Sequence, residues 1–204
     1  CRTNAPLVEA CYALVAAGVP ATVRGRDVAR SLIAFARDAA TFDWHKPQRD
    51  RVKDSLRLDD FMEHLNAFAE HLHAKYLREA EASGKDADLR IAGLADRVST
   101  LALVLDQSQA GTLGELTDAI RLLFDGDPDR SVLLSTIHGA KGLEADRVFI
   151  LRPELLPFPA ARTPQAVNAE RCAQFVAYTR AKKALYFVDA PESRIPDHLR
   201  SSGT

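Results

Sequence analysis

The sequence predicts an α/β fold with a parallel sheet, interrupted by a mainly helical insertion. Short runs rich in β-branched and apolar residues at 19–23, 132–136, 147–151 and 184–189 read as strands. Helical spacing alternates with them, which is the pattern of strands joined by crossover helices. From about residue 26 to 130 the β-branched clusters thin out and helical periodicity dominates. These limits predict one α/β domain from 1–25 and 131–190, a helical insertion at 26–130, and a tail at 191–204.

The elements follow in order. Apolar positions at helical spacing over 5–17 predict the first helix, with Asn4 as N-cap, Pro6 in the first turn and Gly18 just past the end. Val19-Pro20-Ala21-Thr22-Val23 follows as a strand, and Arg24-Gly25-Arg26-Asp27 as a turn into a helix at 28–41. Further helices are expected at 58–82, 86–108 and 112–124, separated by polar or Gly-containing breaks at 43–56, Ser83-Gly84-Lys85, Ser108 to Gly111 and Asp125 to Asp129. Strand 132–136 then leads into a turn and short helix at 138–145 and a strand at 147–151. A loop carrying Pro153, Pro157, Pro159 and Pro164 precedes a helix at 167–181 and the last strand.

Composition narrows the class. Of 204 residues, 47% are hydrophobic and 27% charged, ordinary values for a globular chain. No apolar run approaches the roughly 18 residues a membrane span needs, and no basic segment leads into an apolar one. A net charge of −1 argues against a basic coat over the whole surface, yet leaves room for a local groove. Cys1, Cys11 and Cys172 are too scattered for a zinc motif or a disulfide framework, which fits a reducing cytoplasm. Cys1 in place of an initiator Met implies a chain that begins inside a longer product. His64, His71 and His73 share one predicted helix, but His71 and His73 point apart and no acidic ligand set accompanies them, so no metal site is expected.

The chemistry-bearing stretch is Thr136-Ile137-His138-Gly139-Ala140-Lys141-Gly142-Leu143-Glu144. It sits at the carboxyl end of a predicted strand, where open α/β sheets bind ligands. Gly139 and Gly142 bracket a turn that exposes backbone N–H groups suited to a phosphate oxygen. Nowhere does the chain carry the G-x-x-x-x-G-K-[ST] spacing of a nucleotide P-loop.

This stretch, together with Phe175-Val176-Ala177-Tyr178-Thr179-Arg180-Ala181, resembles motifs V and VI of the UvrD/Rep/PcrA-type superfamily 1 DNA helicases. The opening Cys1-Arg2-Thr3-Asn4-Ala5-Pro6-Leu7 resembles motif IV of the same family. The resemblance implies a second RecA-like motor domain, with ATP and Mg²⁺ held mainly by a first RecA-like domain of the same polypeptide that is absent from this sequence. On that reading the chain alone neither binds ATP tightly nor hydrolyses it.

The resemblance also assigns roles. Arg180 is either a structural arginine or an arginine finger reaching the γ-phosphate, where a planar, permanently charged fork meets accumulating negative charge. Arg2 is either a solvated charge or a second γ-phosphate contact. Glu144 either favours the first turn of its helix or accepts a hydrogen bond from the nucleotide ribose, with Gly142 beside it at the nucleotide. Lys-Gly-Leu-Glu, rather than K-x-Q-G, implies movement from 3′ to 5′. Thr136, His138 and Gly139 would face single-stranded DNA and grip phosphate without reading bases, while Lys141 either joins them or pairs with a carboxylate. Arg24 and Arg26 are candidates for DNA contact or plain turn residues. Glu170 and Arg171 match the start of motif VI, whereas Cys172, Ala173 and Gln174 depart from it. The insertion occupies the slot of the family's accessory domain but is much shorter. The competing reading is a degenerate helicase-like module that binds protein or DNA without motor activity; neither reading fixes an oligomeric state.

Overall fold

The computed structural model describes residues 1–42 and 54–188. The expected break at 43–56 lies largely outside the described residues, and the tail at 191–204 entirely so. The chain forms two compact units: Cys1–Leu7 with the chain from Ser135 onward, and Val8–Leu134. The boundary falls inside the first helix, α1 (Ala5–Ala16).

The unit Val8–Leu134 holds most of α1, then β1 (Ala21–Val23), α2 (Arg26–Ala40), α3 (Phe61–Ser83), α4 (Asp88–Ser108), α5 (Leu113–Phe124) and β2 (Val132–Leu134). α1 stops where expected, because the Gly18 N–H donates to the Val15 carbonyl and the Val19 N–H to the Leu14 carbonyl, both at 2.9 Å. In α2 the buried residues Ala29, Leu32, Phe35, Ala36 and Ala39 form one helical stripe. That stripe meets α3, where the Phe35 and Phe68 rings lie 5.3 Å apart, and the Arg97 guanidinium of α4 covers Phe35 at 5.3 Å. α5 starts on a capping box: Thr112 Oγ1 accepts the Glu115 N–H, and the Glu115 carboxylate accepts the Thr112 N–H. β1 and β2 pair in parallel, Ala21 opposite Val132 and Val23 opposite Leu134. The buried hydroxyl of Thr22 donates to the Leu123 carbonyl at 3.1 Å, tying this pair to α5.

The other unit contains β3 (Ala145–Leu151), a 3₁₀ turn at Pro153–Leu155, α6 (Pro164–Tyr178) and β4 (Ala181–Val188). β3 and β4 pair in parallel, with Val148 opposite Leu185 and Ile150 opposite Phe187. Those four side chains pack with Ile137, Leu156, Ala173, Val176 and Ala177 in one apolar cluster. α6 therefore covers one face of the β3–β4 pair. It begins three residues earlier than the periodicity implied, since Thr163 Oγ1 caps the Ala166 N–H and Pro164 takes the first helical turn.

Two expectations are corrected. One four-stranded sheet was expected; the described strands form two separate two-stranded parallel sheets, β1–β2 and β3–β4. Beyond β2 the backbone pairs with the first residue of the chain: Ile137 N–H donates to the Cys1 carbonyl at 2.9 Å, and the Cys1 amine to the Ser135 carbonyl at 3.2 Å. The short helix expected at 138–145 is a series of turns followed directly by β3. The carbonyls of Thr136, His138 and Ala140 each accept from a residue three or four further on, and Gly142 then leaves the helical region at φ +83°. Among the described residues no helix is long and apolar enough to cross a membrane.

Candidate functional site

The loop from Ser135 to Glu144 is built on hydroxyls and close backbone approach. Thr136 Oγ1 accepts the Gly139 N–H at 3.2 Å, and the Thr136 carbonyl accepts the Ala140 N–H at 2.9 Å. A Cβ at Gly139 would sit 2.8 Å from Ser135 Oγ and 3.3 Å from Thr136 Oγ1, so a side chain there would make these hydroxyls move. His138 and Lys141 are exposed, whereas Thr136 is half-buried and occupied by the turn. With no helix following, the N-terminal dipole invoked for Glu144 and for phosphate binding is absent here. Glu144 is instead exposed just ahead of β3, with Lys182 Nζ at 3.7 Å, and Asp146 takes a 2.6 Å bond from Lys183 two residues on.

Arg180 is joined to this loop. Its Nη1 donates to the Leu143 carbonyl at 3.1 Å, its Nε to the Val176 carbonyl at 2.9 Å and its Nη2 to Thr179 Oγ1 at 3.0 Å. The Arg180 carbonyl in turn accepts the Ala145 N–H at 3.0 Å. The guanidinium thus caps the C-terminal end of α6, where positive charge is favoured. A guanidinium has five N–H donors, so the three bonds leave two more on its η nitrogens.

Arg2 is not a solvated charge. Its Nε and Nη2 donate to Glu170 Oε2 and Oε1 at 2.9 and 2.7 Å, the bidentate geometry that only arginine provides, and its guanidinium lies 4.6 Å above the Phe158 ring. Glu170 is 6% exposed and also accepts the Phe158 N–H at 3.3 Å. Burial pushes its carboxyl up, but the Arg2 hydrogen bonds and charge, the Phe158 N–H and the charge of His138 together outweigh that and hold it below its ordinary value.

Arg2, Thr136, His138, Gly139, Lys141, Gly142, Glu144 and Arg180 all belong to one compact unit; Arg24 and Arg26 belong to the other. Both of the latter are exposed, and the Arg24 N–H extends the β1–β2 ladder by donating to the Leu134 carbonyl at 2.8 Å. Sequence reasoning missed Phe158, which supports both Arg2 and Glu170. It lies in a proline-rich loop with no periodicity to mark it. The acidic residue at 170, already matched to motif VI, was the available signal for a partner to Arg2.

The pattern of the UvrD-like helicase C-terminal domain matches residues 41–191. The chain belongs to that family. Among its relatives, DNA helicase II of Haemophilus influenzae is 31% identical over 134 residues, covering 61% of this chain and 18% of that protein. The ATP-dependent DNA helicase PcrA of Staphylococcus aureus is 34% identical over 88 residues, covering 37% and 12%, and a probable DNA helicase II homolog of Rickettsia conorii is 40% identical over 70 residues, covering 32% and 11%. The chain therefore spans less than a fifth of the length of these relatives.

Proposed function

We propose that this chain is the part of an ATP-dependent DNA helicase that completes the nucleotide site from the second RecA-like domain and grips single-stranded DNA. In this reading, residues 1–25 and 131–190 are motor domain and 26–130 an accessory insertion. A first RecA-like domain of the same polypeptide supplies the P-loop and the carboxylates for Mg²⁺. Arg180 and Arg2 face the γ-phosphate, and Glu144 with Gly142 faces the ribose. Thr136, His138, Gly139 and Lys141 hold DNA phosphates, joined by Arg24 and Arg26, and movement runs 3′ to 5′. The observation that carries the reading is that Arg180, the candidate phosphate ligand, is bonded to the same short loop whose other end presents His138 and Lys141.

Duplexes with a single-stranded 3′ or 5′ tail, offered with ATP to the full-length polypeptide, test it. Unwinding of the 3′-tailed duplex alone is expected; equal unwinding of both, or ATP-independent strand separation, contradicts it.

One observation favours a module that binds without motor activity: Arg2 is held in a bidentate ion pair with Glu170, and Arg180 bonds three protein oxygens. That reading predicts DNA or protein binding with no ATP turnover by the full-length polypeptide.

A further inference from the structure

Arg2 is held from more sides than an ion pair requires. We propose that Phe158 is a positioning residue for ATP hydrolysis: its ring and the Glu170 carboxylate fix the Arg2 guanidinium in one orientation and leave its Nη1 edge for a phosphate oxygen. The proposal rests on the reading of Arg2 as a phosphate ligand.

The main chain beside Arg2 is pinned first. The Cys1 carbonyl accepts the Ile137 N–H at 2.9 Å, and Ile137 is buried in the apolar cluster. The side chain then meets Glu170 side-on, through Nε and Nη2. That pairing takes two of the five N–H donors of a guanidinium and leaves three, two of them on Nη1. A bidentate pair sets the separation and plane of the two groups. The Phe158 ring, 4.6 Å from the guanidinium carbon, covers one face and keeps the fork from tilting out of that plane.

Phe158 does this from a half-buried place in the proline-rich loop, and α6 holds that loop. Two side chains one turn apart on α6 reach it: Glu170 Oε2 accepts the Phe158 N–H at 3.3 Å, and Gln174 Nε2 donates to the Leu156 carbonyl at 3.3 Å. Gln174 also donates to Tyr178 Oη at 3.0 Å, and Leu156 is buried in the apolar cluster. Gln174 is one of the residues at which α6 departs from the motif VI pattern, so this strap belongs to the chain's own sequence. Glu170 thus binds both Arg2 and the loop that covers it. The carboxylate offsets part of the Arg2 charge, but a donor already fixed in place needs no reorganisation when negative charge develops on a phosphoryl group.

Single-stranded-DNA-stimulated ATP turnover by the full-length polypeptide tests the inference, with release of labelled phosphate resolving the slow variants. Phe158→Leu keeps apolar bulk and the main-chain N–H but removes the aromatic face. It should lower kcat about tenfold, within the range of a cation–π contact at a partly desolvated site, with KM for ATP little changed. Phe158→Tyr restores the face and should stay within about twofold of wild type. In an Arg2→Ala background Phe158→Leu should have no further effect, because the ring acts through Arg2. Phe158→Met, whose flexible chain fills gaps, is read in the same way if the leucine variant does not fold. A wild-type kcat in Phe158→Leu overturns the inference, as does an equal fold loss with and without Arg2, which is the mark of a merely structural role. Normal turnover by Arg2→Ala would remove the phosphate-ligand reading beneath it. Turnover lost in Arg2→Ala but intact in Phe158→Leu would leave that reading standing and remove the positioning role.

Discussion

Arg2→Ala isolates the buried cluster that the structure puts around Glu170. The substitution deletes two charge-assisted hydrogen bonds, at 2.9 and 2.7 Å, and the guanidinium over Phe158. Glu170, with 7% of its side chain exposed, keeps the Phe158 N–H at 3.3 Å as its one remaining hydrogen bond among the described residues. Stripping one partner from a buried ion pair costs about 3–5 kcal/mol. The Arg2 side chain retains 18% exposure, so water reaches the vacated site and the loss should sit near about 3 kcal/mol. In a chain of this size that is a fall in melting temperature of about 6–12 °C. Urea denaturation followed by circular dichroism measures it, and pH supplies an internal control. Because the carboxyl of Glu170 is held below its ordinary value of 4.5, the pair's contribution is complete above that pH. It is lost as pH falls through the folded-state value. The gap between wild type and Arg2→Ala should therefore be widest near neutral pH and shrink as acid protonates Glu170, first in the variant, where Arg2 no longer opposes the effect of burial. A loss below about 1 kcal/mol, the scale of an exposed pair, or a gap that widens with acid, would refute the reasoning.

Other outcomes follow from the same geometry. His138→Ala should weaken single-stranded DNA binding and DNA-stimulated ATP turnover of the full-length polypeptide together, with basal hydrolysis spared; a filter-binding titration with unchanged affinity contradicts this. Thr163→Ala removes the N-cap of α6 and should cost about 1 kcal/mol in urea denaturation, while no change would mean that Pro164 alone sets the helix start. The 204-residue chain on its own should show no DNA-stimulated ATPase, and any DNA binding should be sequence-independent and weakened by salt; sustained turnover by the purified chain would remove the domain assignment.

Local signals account for what was legible. The six α-helices among the described residues follow from apolar spacing, and Gly18 and Thr163 mark ends because capping is decided by a few neighbouring residues. The turn in the site loop was legible for a similar reason: Thr136 bonds Gly139 three residues on, and Gly142 supplies its own positive φ. What failed was non-local or competed with local chemistry. A helix over 138–145 stops at the positive φ of Gly142, which ends the turns that Thr136 opens in N-cap fashion. The single sheet failed because nothing in an isolated strand says which neighbour it pairs with, and here the backbone after β2 pairs with Cys1. The partners of Arg2 and Arg180 were hidden for the same reason. Glu170 lies 168 residues from Arg2, and Leu143 lies 37 from Arg180.

The central claim is that Arg180 serves phosphoryl transfer on ATP held elsewhere in the polypeptide. The most direct measurement is single-stranded-DNA-stimulated ATP turnover by the full-length polypeptide and its Arg180→Ala variant, with DNA affinity measured on the same preparations. The account predicts a loss of turnover of about a thousandfold or more, the scale of a removed arginine finger, with DNA affinity nearly intact. Normal ATP hydrolysis by the variant, or a defect confined to DNA affinity, would contradict it.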